Sequence, residues 1–186
     1  IQYLNGQLGT VGDSPDGLFA LVCGATAVAA TFELGKAYTL RNVEELTALG
    51  VTAENNPRLT KHVTDFYAEA EDGTKLIIYG LDKTTTMTAM LDKDTGSVKA
   101  LITGQNGALR GLFVACEGLT TGDVTEGLDP DVLTAIPKAQ ALAEWATTEL
   151  YAPLFIVLEG RHFEQDAVKQ IGDGTSNRVA VLVGDT

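Results

Sequence analysis

PKAQALAEWATTELYAPLFIVLEG, residues 137–160, is the stretch that decides the fold. Its first half, as far as Tyr151, is rich in alanine and repeats at helical spacing, with Ala139, Leu142, Ala143, Ala146 and Leu150 on one face. Side chains that small let a helix lie close to a sheet. Ala152 and Pro153 then lead into LFIVLE, an apolar run closed by Gly160. The run predicts a strand over 154–158 buried on both faces, as strands are in a parallel sheet covered by helices.

The same alternation recurs on either side. Asn56-Pro57 opens a helix, with asparagine expected to cap the free amides and proline at the first helical position. Leu59, Val63, Phe66, Tyr67 and Ala70 follow at helical spacing, and Gly73 closes the element. LIIYGL after Lys75 predicts a strand. Thr84 to Thr86 precede a helix over 87–91, Asp92-Lys93-Asp94-Thr95-Gly96 makes a surface turn, and Ser97 recaps a helix carrying Val98, Leu101 and Ile102. A turn at Gln105-Asn106-Gly107 leads to a strand over 109–116, then to a loop rich in Gly, Thr and acid. Asp129-Pro130 begins a short helix and Ile136-Pro137 restarts it, because proline inside a helix removes a backbone bond; two pieces are expected. A helix over 165–171, a loop over 172–177 and a strand over 178–183 complete the series.

Upstream, 18–23 is the first core strand. Residues 31–40 suggest an extended hairpin at a sheet edge, broken at Gly35-Lys36, and Asn42 caps a helix carrying Leu46 and Leu49 that Gly50 stops. The leading residues, with Gly6, Gly9 and Gly12 before Ser-Pro-Asp-Gly, read as an irregular arm with a short strand over 1–4. Helix and strand in alternation predict the α/β class: a mostly parallel sheet with helices on its faces, right-handed crossovers and an N-terminal extended region. The expected organisation is an arm over 1–17 and one core domain over 18–186.

Composition narrows the function. With 186 residues the chain can bury a sizeable core, and no apolar run approaches the roughly 20 residues that span a bilayer, so a soluble protein with no membrane partner is expected. A net charge of −12 and the lack of a basic stripe argue against nucleic acid. The acidic excess suits solubility or one side of a charge-complementary contact between subunits. Cys23 and Cys116 lie in apolar strand segments and are expected to be buried free thiols, in a reducing compartment. The beginning at Ile1 carries no signal-peptide pattern, which suggests a removed leader or a start inside a longer chain.

No dinucleotide or phosphate-loop glycine pattern, nucleophile elbow or HExxH helix is present. His62 falls one turn before Phe66, a packing position. Glu159, Arg161 and His162 leave the 154–158 strand together, where open parallel sheets bind ligands, and they offer acid, guanidinium and imidazole to one substrate. They carry the alternative reading of a small enzyme or nucleotide-binding domain. No nucleophile or metal cluster accompanies them, so surface pairing is the expectation. Asp92 and Asp94 resemble the start of a calcium loop, but the glycine and glutamate such a loop needs fall here on Ser97 and Thr103. Asp173 to Asn177 reads as a turn. No catalytic, cofactor-binding or metal-binding residue is assigned, and no cofactor is expected.

Several segments, in order, resemble contractile phage-tail sheath proteins, in particular the sheath-like proteins of Bacteroidetes phages and related injection systems. They are FELGKAYTLRNVEELTALGV (32–51), NNPRLTKHVTDFYAEAEDGTKLIIYGL (55–81), GALRGLFVA (107–115), PKAQALAEWATTELYAPLFIVLEGRHF (137–163) and NRVAVLVGD (177–185). The resemblance implies a structural, non-enzymatic subunit of a virion tail, assembled in the bacterial cytoplasm. It implies hexameric rings of self-copies stacked around a tail tube protein and joined by terminal arms that add strands to neighbours. A complete sheath protein continues into a further domain, whereas this chain stops at Thr186, so a core fragment of a longer chain is expected.

Overall fold

The computed structural model describes residues 17–70, 73–116, 127–164 and 176–183. Six strands form one sheet: β1 (Leu18–Ala25), β2 (Ala37–Leu40), β3 (Leu76–Asp82), β4 (Leu109–Ala115), β5 (Phe155–Gly160) and β6 (Val179–Val183). Their order is β2-β3-β1-β4-β5-β6, parallel throughout except for β2, which runs antiparallel to β3 at the edge. The connections carry α1 (Val43–Ala48), α2 (Pro57–Glu69), α3 (Met87–Met90), α4 (Val98–Gly104) and α5 (Pro130–Glu149). The chain is thus an α/β protein with a mostly parallel sheet.

Strand alternation splits the apolar residues between two cores. Ala20, Val22, Ile77, Tyr79, Leu112, Val114, Ile156 and Leu158 face α3, α4 and α5, which contribute Met87, Met90, Val98, Leu101, Ile102, Ala139, Leu142, Ala143 and Ala146. Leu21, Cys23, Leu76 and Ile78 face the other way, against Leu46 of α1 and Leu59 and Val63 of α2.

Four expectations are corrected. Residues 31–34 form no strand: Phe32 makes an isolated antiparallel bridge with Val28, and its side chain is fully buried, close enough to Gly80 that a Cβ there would lie 2.7 Å from its ring. Its backbone bonds go to Val28 rather than to the sheet, and β2 begins only at Ala37. Asn56 does not cap α2 with its side chain. Its Oδ1 accepts from the Thr26 amide at 2.6 Å and its Nδ2 donates to the Thr26 carbonyl at 3.0 Å, fastening the exit of β1 to the start of α2. Third, Pro130–Glu149 is one helix with Pro137 inside it. Both halves bury one continuous face, from Val132 through Ala146, and Pro137 is exposed, so packing carries the helix past the missing bond. Fourth, β5 is not buried on both faces: Phe155 is exposed and Val157 half-buried.

The arm over 1–16, most of the loop after Cys116, the helix expected over 165–171 and the loop over 172–175 lie outside the described residues. Among those described, no helix is long and apolar enough to cross a membrane.

Candidate functional site

The open face of β5 borders a groove of about 970 Å³ between α2 and the half of the sheet nearest β6. Alternation along β5 points Phe155, Val157 and Glu159 the same way, and β4 adds Phe113 beside them. Phe19 of β1 lies across Gly111, where an added Cβ would come within 2.5 Å of its ring. An alanine at 111 would therefore push Phe19 off the floor. Along the other wall α2 presents Arg58, Lys61, His62, Asp65 and Phe66.

Arg58 and His62 stand four residues apart on α2, one turn above the other, and both reach Glu159. Arg58 Nη2 donates to Glu159 Oε1 at 2.6 Å; His62 Nε2 lies 3.6 Å from the same oxygen, too long for a hydrogen bond. The His62 ring stands edge-on to Phe113 with centroids 5.3 Å apart. Burial pushes the Glu159 carboxyl up, but the neighbouring His62 and Arg58 side chains and the Arg58 charge outweigh it, and the group sits below its ordinary value. A carboxylate so held stays ionised near neutrality and is a poor proton donor or acceptor there.

The three residues that leave β5 together do not converge. Glu159 turns to α2. Arg161 donates from Nη1 to the Cys116 carbonyl, and its own carbonyl accepts from the Asp129 amide at 3.0 Å. His162 takes a left-handed φ of 50° and is exposed. Cys23 and Cys116 are buried and not joined in a disulfide, as the sequence suggested. Burial, with the Asp131 charge second, pushes the Cys116 thiol up to about 12, so it holds its proton and is no nucleophile.

The acidic turn at 92–96 is a structural tie. Asp92 Oδ1 accepts from the amides of Asp94 and Thr95 at 2.9 and 3.0 Å, and Oδ2 accepts from Lys138 of α5 at 2.6 Å. Lys138 and these amides hold its carboxyl well below the usual carboxylate range. Among the described residues no group of three or more His, Cys, Asp or Glu side chains is placed to hold a metal ion. Asn177 Oδ1 accepts from Gln140 at 3.1 Å; residues 173–175 lie outside the described set.

Sequence reasoning missed Arg58 and the aromatic floor. The spacing of Arg58 and His62 places both on one helix face, and Phe155, Val157 and Glu159 share one strand face. What the sequence does not show is that the two faces meet.

The profile of the family described as DUF2586, N-terminal domain, matches residues 1–184. No curated protein matches the chain. Among solved structures, the helical sheath of the anti-feeding prophage (AFP), seen by cryo-EM in its contracted state, superposes with a TM-score of 0.50 at 15% identity. The match covers 90% of this chain and 39% of the sheath chain. At that identity the likeness is one of fold.

Proposed function

The chain belongs to the DUF2586 N-terminal domain family, and we propose for it a structural role: a subunit of a contractile tail sheath or sheath-like injection apparatus. The observation that carries this reading is the shared fold with a contracted sheath, which takes in 90% of the chain. The segment order that resembles phage-tail sheaths points the same way. In this role the protein is not an enzyme. Its partners are other copies of itself, in hexameric rings stacked as a helical polymer, and a tail tube protein. It resides in a virion or injection-system tail assembled in the bacterial cytoplasm. The chain spans 39% of the sheath it resembles, so in this reading it is the core of a longer subunit whose remaining parts supply contacts between copies.

The site geometry is compatible with scaffolding. Arg58 and Glu159 join a helix to a strand 101 positions apart, and Arg161 and Asp92 serve as further ties between segments. Electron microscopy of the full-length protein expressed alone is the test: rings or tubes are expected. A monomer that turns over a small molecule would overturn the proposal.

A further inference from the structure

The turn that feeds β4 holds a pair of residues that a scaffolding role leaves unused. Gln105-Asn106-Gly107-Ala108 closes with the Ala108 amide donating to the Gln105 carbonyl at 2.9 Å. Asn106 and Gly107, at its centre, take left-handed φ values of 49° and 78°. Two positive φ values and that bond make a type I′ turn, for which Asn-Gly is the preferred pair. Asn106 is exposed and Gly107 half-buried. The Gly107 amide donates to no backbone carbonyl among the described residues.

A side-chain amide in this position has a nucleophile next to it in the chain. When the Gly107 nitrogen closes on Asn106 Cγ, an N–Cγ bond forms and the bond from Cγ to the side-chain nitrogen breaks. The Gly107 proton and the NH2 group leave together as ammonia, and a cyclic imide remains. Water then opens the imide. Breaking the new N–Cγ bond gives aspartate, and breaking the original peptide bond gives isoaspartate. Atoms balance with water as the one co-reactant.

We propose that Asn106 is a site of such self-modification, losing its side-chain amide to the Gly107 nitrogen. Closure requires rotation about the Asn106 Cα–C bond. Opposing it are the cross-turn bond and the Asn106 amide's own bond to the Thr103 carbonyl at 3.2 Å, in an exposed turn of the kind that opens at low cost. Gly107 brings no Cβ to obstruct the approach. Arg110 donates from Nη1 to the Gly107 carbonyl, and its positive charge beside the turn favours the deprotonated nitrogen that attacks. Either product adds a negative charge to a chain that carries −12. Isoaspartate also lengthens the backbone by a methylene just before β4, a strand flanked by β1 and β5.

Asn42, Asn55, Asn56 and Asn177 are each followed by a residue with a side chain, whereas Asn5-Gly6 repeats the pair outside the described residues. Peptide mapping separates the two Asn-Gly sites, because trypsin releases residues 1–36 and 100–110 as different peptides. The folded chain is held at about pH 7 and about pH 9 and sampled over days. Peptide 100–110 is expected to gain about 1 Da at Asn106 and to split into an aspartate and an isoaspartate form. Its rate should rise about tenfold per pH unit, following the deprotonated amide. Gly107→Ala is expected to slow the conversion about tenfold, since its Cβ hinders closure. A peptide 100–110 of unchanged mass, whatever residues 1–36 do, would overturn the proposal. So would conversion seen only in urea, or conversion that Gly107→Ala leaves at the parent rate. If Gly107→Ala does not fold, the mass of peptide 100–110 from the parent chain still decides.

Discussion

A carboxylate taken out of water at the end of β5 needs a partner, and Arg58 supplies it from α2. Removing the guanidinium by Arg58→Ala strands the Glu159 charge and should destabilise the fold by about 3 kcal/mol in urea denaturation. Glu159→Gln removes the charge itself and should cost about 1 kcal/mol. The reverse order would mean that the pair is not the tie it resembles. Acid should discriminate further. The Glu159 carboxyl titrates lower in the folded chain than in the unfolded one, so the unfolded chain takes up the proton first as pH falls. The stabilisation is whole above the ordinary value of 4.5 and drains away as pH drops through the folded value. Loss of stability as the pH falls below 4.5 should therefore be smaller in Glu159→Gln than in the parent. Glu159 was legible as a polar residue at a strand exit. Its partners were not, because local spacing orders residues within an element and says nothing of which helix face meets which strand.

At the scale of the element, α5 shows packing overriding local preference. Pro137 leaves the carbonyl of Leu133, four residues back, without its helical donor, yet the helix runs unbroken from Pro130 to Glu149. Pro137 is exposed, so an alanine there meets no neighbour and restores the bond. Pro137→Ala should stabilise the protein, by up to about 3 kcal/mol on helix preference alone, read as a higher melting temperature. No gain would place a break at 137, as the proline suggested. The same competition explains residues 31–40. Alternation there matched a hairpin, but Phe32 gives its backbone bonds to Val28 and buries its ring beside Gly80 and Tyr38, its centroid 5.4 Å from that of Tyr38, so only residues 37–40 join the ladder. Strands with long apolar runs, β1, β3, β4 and β5, were readable because nothing local competes with them. Asn56 was readable as the start of a helix but not as a clamp on Thr26, since its partner lies 30 residues away.

For the whole molecule, the α/β class and the parallel order followed from alternating helices and strands, while the half of one sheet face that no described helix covers did not. Periodicity reports that Phe155 and Val157 share a side and is silent on what covers it. A protein of net charge −12 repels its copies at long range, so any polymer it builds must rest on close apolar or paired contacts. The most direct measurement is a cryo-EM reconstruction of the full-length protein expressed without other components. With a sheath role, the six-stranded sheet of residues 17–183 should fit repeating density, six copies to a ring and rings stacked along a tube. Particles that stay monomeric under all conditions, with stabilisation by a nucleotide or turnover of a small molecule, would contradict it.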